Sequence, residues 1–167
     1  MNPSNARDIS YARFQTRLGP AFIACAAGHI TGFYFEGQKH FDGPKAEWRY
    51  DEAAPALVRL RRQYQEYEAG ERHRFELPVQ FEGTEFQQRV WQALQQIEFG
   101  QTTSYGQLAH RIGAASAVRA VGAAVGRNPI SVIVPCHRVL GASGALTGYA
   151  GGLDRKQSLL QLEGVLV

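Results

Sequence analysis

The stretch Ile130-Ser131-Val132-Ile133-Val134-Pro135-Cys136-His137-Arg138-Val139 decides how the rest of the chain is read. Its first half is β-branched and apolar, which predicts a buried strand or extended segment. Pro135 ends that segment, because proline has no N–H for a ladder and biases its predecessor to extended geometry. Cys136 follows at once, with a titratable ring at His137 and a permanent cation at Arg138. A thiol in that place is held, not floppy. A free cysteine has a pKa of about 8.5, so only a few per cent is thiolate at neutral pH. Nearby cations or a paired histidine raise that fraction. Most cysteines are small buried hydrophobes without chemistry. The proline before this one and the polar pair after it favour a nucleophile.

Upstream of that stretch lie two short helices. Ser104-Tyr-Gly-Gln107 predicts a capping-box start, a helix to Ile112 and Gly113 as the residue that ends it. Ser116 is expected to cap the next helix, which runs to about Gly126 and carries Arg119. Two short helices joined by a tight Gly-containing turn form the helix-turn-helix pattern. The second helix is nearly bare: Ala117, Ala120, Gly122, Ala123, Ala124 and Gly126 leave little side chain on it. Its two glycines cost up to ~2 kcal/mol relative to alanine. Tight packing would explain that, and so would close approach to a nucleic-acid groove. A further helix starts at a capping box, Thr84-Glu-Phe-Gln87, and buries Phe86, Val90, Trp91, Leu94 and Ile97.

The charge pattern supports the second explanation. The chain has 167 residues and a net charge of only +3. From Phe99 to Leu153 there is no Asp or Glu, yet Arg111, Arg119, Arg127 and Arg138 fall inside. An acid-free, arginine-bearing segment is the footprint expected for a phosphate backbone.

The first half reads differently. Residues 10–36 predict three strands of an antiparallel sheet, with turns at Leu18-Gly-Pro20 and Gly28. Residues 37–51 read as irregular. Ala53 to Ala69 predicts an amphipathic helix with Leu57, Leu60, Tyr64 and Tyr67 on one stripe. Residues 72–81 predict an extended link. The fold class is therefore α+β, with an N-terminal sheet domain over 1–80 and a mainly helical domain over 81–167. At the C-terminal end, Asp154 is expected to cap a last helix that turns Leu159, Leu160 and Leu162 inward. The polar start, Met1 to Asp8, has no apolar signal core. No run approaches the ~20 apolar residues that span a membrane. Two distant cysteines without a secretory signal predict reduced thiols and a cytoplasmic protein.

Pro135-Cys-His-Arg-Val139 resembles the active-site signature of the O6-alkylguanine-DNA alkyltransferases. Tyr105-Gly-Gln-Leu-Ala109, Arg119-Ala-Val-Gly122, Asn128-Pro-Ile130, Gly148-Tyr149-Ala-Gly-Gly152 and Leu160-Gln-Leu-Glu-Gly164 resemble family segments in the same order and spacing. The resemblance implies transfer of an alkyl group from guanine O6 in double-stranded DNA to Cys136, once per molecule, by a monomer that needs no cofactor. It implies His137 as the base acting through a water, Glu163 as the acid that orients it, and Tyr105 as proton donor toward the leaving base. It implies that Val139 (through its carbonyl), Tyr149 and Ala150 hold the guanine, and that Asn128 joins the DNA-binding element to the site. Some family members carry serine where Ala150 stands. O6 lies on the major-groove edge of the stacked base. A protein entering by the minor groove, as the family does, must flip the nucleotide out. Arg119 would fill the gap, and Tyr105, Ala120, Gly122, Arg127 and Arg138 would meet the DNA.

Two other classes remain. An alkyltransferase-like binding module lacks the cysteine, which is present here. A cysteine hydrolase would turn over, and a redox enzyme would be expected to show Cys-x-x-Cys, which does not occur. A zinc site through Cys25, His29 and His73 falls short of the four ligands that a structural site needs, so no metal is expected.

Overall fold

In the computed structural model, which describes residues 8–166, β1 (Ser10–Thr16), β2 (Gly19–Ala26) and β3 (His29–Phe35) form an antiparallel meander. The β2–β3 turn places Ala27 and Gly28 at φ of 51° and 81°. Positive φ at both centres is what a two-residue hairpin of right-handed twist requires. A fourth strand, β4 (Arg49–Tyr50), pairs parallel with β1 in a segment expected to be irregular. At two residues it is too short for any periodicity. It is held by packing: the Tyr11 ring meets Tyr50 edge-on at 5.3 Å and lies 6.0 Å from Trp48. Most of the polar start, residues 1–7, lies outside the described residues.

Helix α1 (Pro55–Glu68) starts with proline, whose missing N–H costs nothing in a first turn. It buries Leu57, Leu60, Tyr64 and Tyr67, the expected stripe, and also Gln63. That buried amide accepts from the Glu76 N–H at 2.9 Å and donates to the Glu76 carbonyl at 3.2 Å. Gln63 thereby pins the link, which further on meets the sheet where Val79 bridges Ile30.

The second half holds α2 (Glu85–Leu94), α3 (Tyr105–Arg111), α4 (Val118–Gly126) and α5 (Leu153–Leu162), with a short parallel pair β5 (Thr103–Ser104) and β6 (Val139–Leu140). Both capping boxes form, at Thr84/Gln87 and at Ser104/Gln107. Trp91 is core, and its Nε1–H donates to the Ala124 carbonyl at 2.8 Å, fastening α2 to α4. Two expected caps are corrected. Ser116 lies inside a turn closed by Ala117 N–H to Ala114 C=O, so the residue before α4 is Ala117, with no side-chain cap. Asp154 falls in the first turn of α5, after Gly152.

Sheet and helices share one buried cluster that includes Phe33, Tyr64 and Tyr67 from the first half and Ile130, Val139 and Leu159 from the second. Among the described residues no helix is long and apolar enough to cross a membrane.

Candidate active site

The run from Ile130 to Val134 is not a strand. Ile130 makes an isolated bridge to Phe33 on the edge of β3. The chain then reverses within three residues. Ile133 N–H bonds Ser131 C=O at 2.7 Å, Val134 N–H bonds Ile130 C=O at 2.9 Å, and Val132 sits at φ 67°. Left-handed backbone at a β-branched residue is a genuine outlier, held only where surroundings over-determine it. Asn128 supplies that hold. Its side chain accepts from Ile130 N–H at 3.0 Å and donates to Val134 C=O at 2.8 Å, gripping both ends of the reversal. Asn128 stands two residues after α4, whose last turn it continues through its N–H to Val125 C=O. The side chain thus links the end of α4 to the loop that carries Cys136.

Pro135 has φ −82° and ψ 66°, and Cys136 N–H bonds Val134 C=O at 2.8 Å. That is an inverse γ-turn. It projects Cys136 into a single 3₁₀ turn, Cys136–Arg138. Cys136 is only 6% exposed. Burial pushes its thiol up to about 11, against a hydrogen bond from Asn128 and the charge of Lys156, which both favour thiolate.

His137 is fully buried, and Nε2 lies 2.8 Å from Glu163 Oε2. A carboxylate only accepts, so Nε2 carries the proton and Nδ1 is the bare, basic nitrogen. Nδ1 is buried and has no hydrogen bond among the described residues. Burial lowers the His137 pKa despite the carboxylate, which keeps the ring neutral and able to take a proton.

Glu163 closes α5 and is itself surrounded. Arg138 Nε donates to Oε1 at 2.8 Å and Nη2 to Oε2 at 2.9 Å, while Tyr67 Oη donates to Oε2 at 2.6 Å. Burial alone would raise this carboxyl, but the bonds and charges of His137 and Arg138 outweigh it and hold the group well below the usual carboxylate range. Arg138 is therefore corrected: it is 6% exposed, anchored also to Ile97 C=O at 2.5 Å, and cannot reach DNA as an ordinary surface cation.

The cleft that contains Cys136 has a volume of about 340 Å³, enough for one flat base. Tyr105, Tyr149 and Ala150 line it, with Gly122 and Ala123 of α4. Gly122 thus belongs to the cleft wall, and a Cβ there would lie 3.7 Å from the Tyr105 ring. Tyr105 Oη donates to Thr147 C=O at 3.4 Å. The Tyr149 hydroxyl is buried beside Ser131, and burial with the nearby Cys136 raises its pKa. Val139 does not line the cleft; it is buried and laddered to Thr103. Arg119, Ala120 and Arg127 are exposed on and after α4, outside the buried core. A larger groove of 630 Å³ lies behind the reactive loop, lined in part by His73, Phe99 and Pro135, and Cys136 does not line it.

Two residues of the site were missed from the sequence. Lys156 is fully buried, and its Nζ donates to Thr147 C=O at 2.7 Å and Gly148 C=O at 3.1 Å, fixing the Gly-rich loop. Burial draws its pKa down to about 8, with the Cys136 charge opposing. The signal was its place on the stripe 156, 159, 160, 163 of α5, where a lysine among leucines is costly unless paired. Tyr67 reads from the sequence as core alone, because its partner Glu163 lies 96 residues away.

The zinc ligands do not assemble. Cys25 is buried in β2, His29 is exposed and bonds Ala27 C=O at 3.1 Å, and His73 stacks on Phe99 at 3.9 Å. Among the described residues no group of three or more His, Cys, Asp or Glu could hold a metal.

Residues 85–165 match the sequence profile described as 6-O-methylguanine DNA methyltransferase, DNA binding domain. The methylated-DNA–protein-cysteine methyltransferase of Haemophilus influenzae is 43% identical over 156 residues, covering 93% of this chain and 86% of that protein. The constitutive enzyme of that name from Bacillus subtilis is 42% identical over 155 residues, covering 92% and 94%. The crystal structure of Mycobacterium tuberculosis OGT in complex with DNA superposes with a TM-score of 0.86 at 44% identity, covering 92% of each chain. With Cys136 present in a base-sized cleft and a helix-turn-helix beside it, the chain belongs to the methylated-DNA–protein-cysteine methyltransferase family.

Proposed function

We propose that this protein repairs O6-alkylated guanine in DNA by moving the alkyl group, methyl in the simplest case, onto Cys136. The observation that carries the reading is that Cys136 opens into a cleft walled by α4 while the buried pair His137 and Glu163 follows it inside the protein. The sulfur attacks the alkyl carbon, a C–S bond forms, and the C–O6 bond breaks with its electron pair going to guanine. The thiol proton passes toward His137 Nδ1, whose partner Glu163 stabilises the imidazolium that results. Tyr105 lines the same cleft, where its hydroxyl donates toward the leaving base. Tyr149 and Ala150 hold the base.

DNA is the partner. Arg119 and Arg127 stand exposed at α4, whose N-terminus has no side-chain cap and so offers N–H groups to a phosphate. The bare Ala120 and Ala123 allow close approach. A base paired in the duplex cannot reach Cys136, so the nucleotide is flipped into the cleft. Arg119 fills the gap it leaves. One chain supplies every residue assigned a role here, so a monomer suffices for the reaction.

Among the described residues no second thiol lines the cleft, and a thioether is a poor leaving group for water. Transfer is therefore stoichiometric. The test is guanine formation from an O6-methylguanine duplex: release should stop at one equivalent of protein. Continued release would show a turnover enzyme, and none at all would leave only lesion binding.

A further inference from the structure

The cleft that holds Cys136 has a wall from the N-terminal half. Lys39 and His40 line it, and they also line the adjoining hollow of 200 Å³ together with Arg127. The segment that carries them is pinned on three points. Gln38 is buried, and its Oε1 accepts the Phe35 N–H at 2.7 Å. Phe41 stacks on Tyr34 with centroids 4.0 Å apart and planes 4° apart. Between them, Lys39 N–H donates to Ala150 C=O at 3.0 Å, tying the segment to the base-holding loop. His40 sits at φ 63°, in the left-handed region that few non-glycine residues adopt. Both side chains are nonetheless exposed. Glu82 is the acid in the adjoining hollow; the cleft itself has none on its walls.

We infer that Lys39 and His40 contact the DNA, gripping a backbone phosphate next to the flipped nucleotide. The inference rests on the proposed flipping. When a base enters a cleft, its sugar and phosphates stay at the rim. α4 supplies one side of that rim and this segment another. A lysine ammonium is a compact charge suited to phosphate, and an imidazole offers an N–H donor in either protonation state. A pinned backbone holding two exposed donors at the mouth fits that task. The sheet half then takes part in DNA binding as well as in supporting the site.

The test measures binding of an O6-methylguanine duplex across salt concentrations and single-turnover methylation of Cys136 on duplex and on free O6-methylguanine. For Lys39→Ala combined with His40→Ala, the salt slope should flatten by about 0.9 for the one charge lost, equivalent to about eightfold in affinity at 0.1 M salt. Sub-saturating transfer on duplex should fall similarly, and the rate on free base should stay within about twofold, since a free base has no phosphate. Lys39→Arg should keep the slope. Lys45→Ala, on the same connection but outside both hollows, should keep slope and rate. An unchanged slope in the double variant would overturn the inference, as would an equal loss on free base, which would assign the segment to shaping the cleft. If the unaltered protein left Cys136 unmethylated, the transfer reading would fall, while the binding slope would still decide the role of Lys39 and His40.

Discussion

Tyr67 Oη donates to Glu163 Oε2 at 2.6 Å, across 96 residues of sequence. The bond makes α1, which packs on the N-terminal sheet, part of the support for the carboxylate that orients His137. A hydrogen bond to a charged group contributes roughly 1.5–3 kcal/mol. Tyr67→Phe keeps the ring and removes only that bond. Urea unfolding of the variant should show a loss in that range, with a slower transfer. Glu163 is held below its ordinary pKa, so its stabilisation is full above that ordinary value and is lost as pH falls toward the folded one. Losing a donor narrows the shift, so the carboxylate protonates sooner and acid unfolding should start at higher pH. An unchanged acid midpoint would mean that Tyr67 only packs.

Arg138 and Arg119 should part company. Removing one partner of a buried ion pair costs about 3–5 kcal/mol, because it strands the other charge. Arg138→Met should lose stability on that scale and leave the salt slope of DNA binding unchanged. Arg119→Ala should fold normally, lose most transfer on a duplex lesion and lose little on free base, which needs no flipping. Equal losses for Arg119→Ala on duplex and single strand, with a salt slope flatter by about one contact, would make it an ordinary phosphate contact.

Rate should depend on pH through two groups of opposite sign. The Cys136 thiol stands at about 11 by burial, so raising pH increases thiolate and speeds transfer. Lys156, drawn down to about 8, loses its proton over the same upward range and with it the charge that favours thiolate. The climb should therefore flatten above about pH 8. Lys156→Met should be slower at neutral pH and should climb without that flattening. A Lys156→Met profile parallel to that of the unaltered protein would remove Lys156 from the electrostatics of the sulfur.

His137→Ala should slow transfer by a factor on the order of 10²–10⁴, the usual share of a general base. Higher pH should restore part of the rate, since solvent then deprotonates the thiol. Single-turnover kinetics across pH checks both statements, and a variant with the unaltered rate and profile would show that the thiol is activated elsewhere.

Local chemistry made much of the fold legible. Thr84/Gln87 and Ser104/Gln107 are reciprocal caps, readable because both partners sit three residues apart. The Leu57, Leu60, Tyr64, Tyr67 stripe reads as a helix face for the same local reason. The loop before Cys136 reads as extended but reverses, because Asn128 imposes the turn at Val132 against the preference of a β-branched residue. Arg138 reads as a surface cation from the sequence because its partner Glu163 arrives 25 residues later, at the end of another helix. The cleft's second wall at Lys39 and His40 depends on how the two halves meet, which no window of sequence contains.

The most direct measurement is where the methyl group goes. The protein is incubated with excess O6-methylguanine duplex, digested, and its peptides weighed. One methyl on the peptide carrying Cys136, none on the peptide carrying Cys25, and none in Cys136→Ala that still binds the duplex, is the predicted result. Repair of the duplex with Cys136 unmodified, or with methyl on another residue, would contradict the account at its centre.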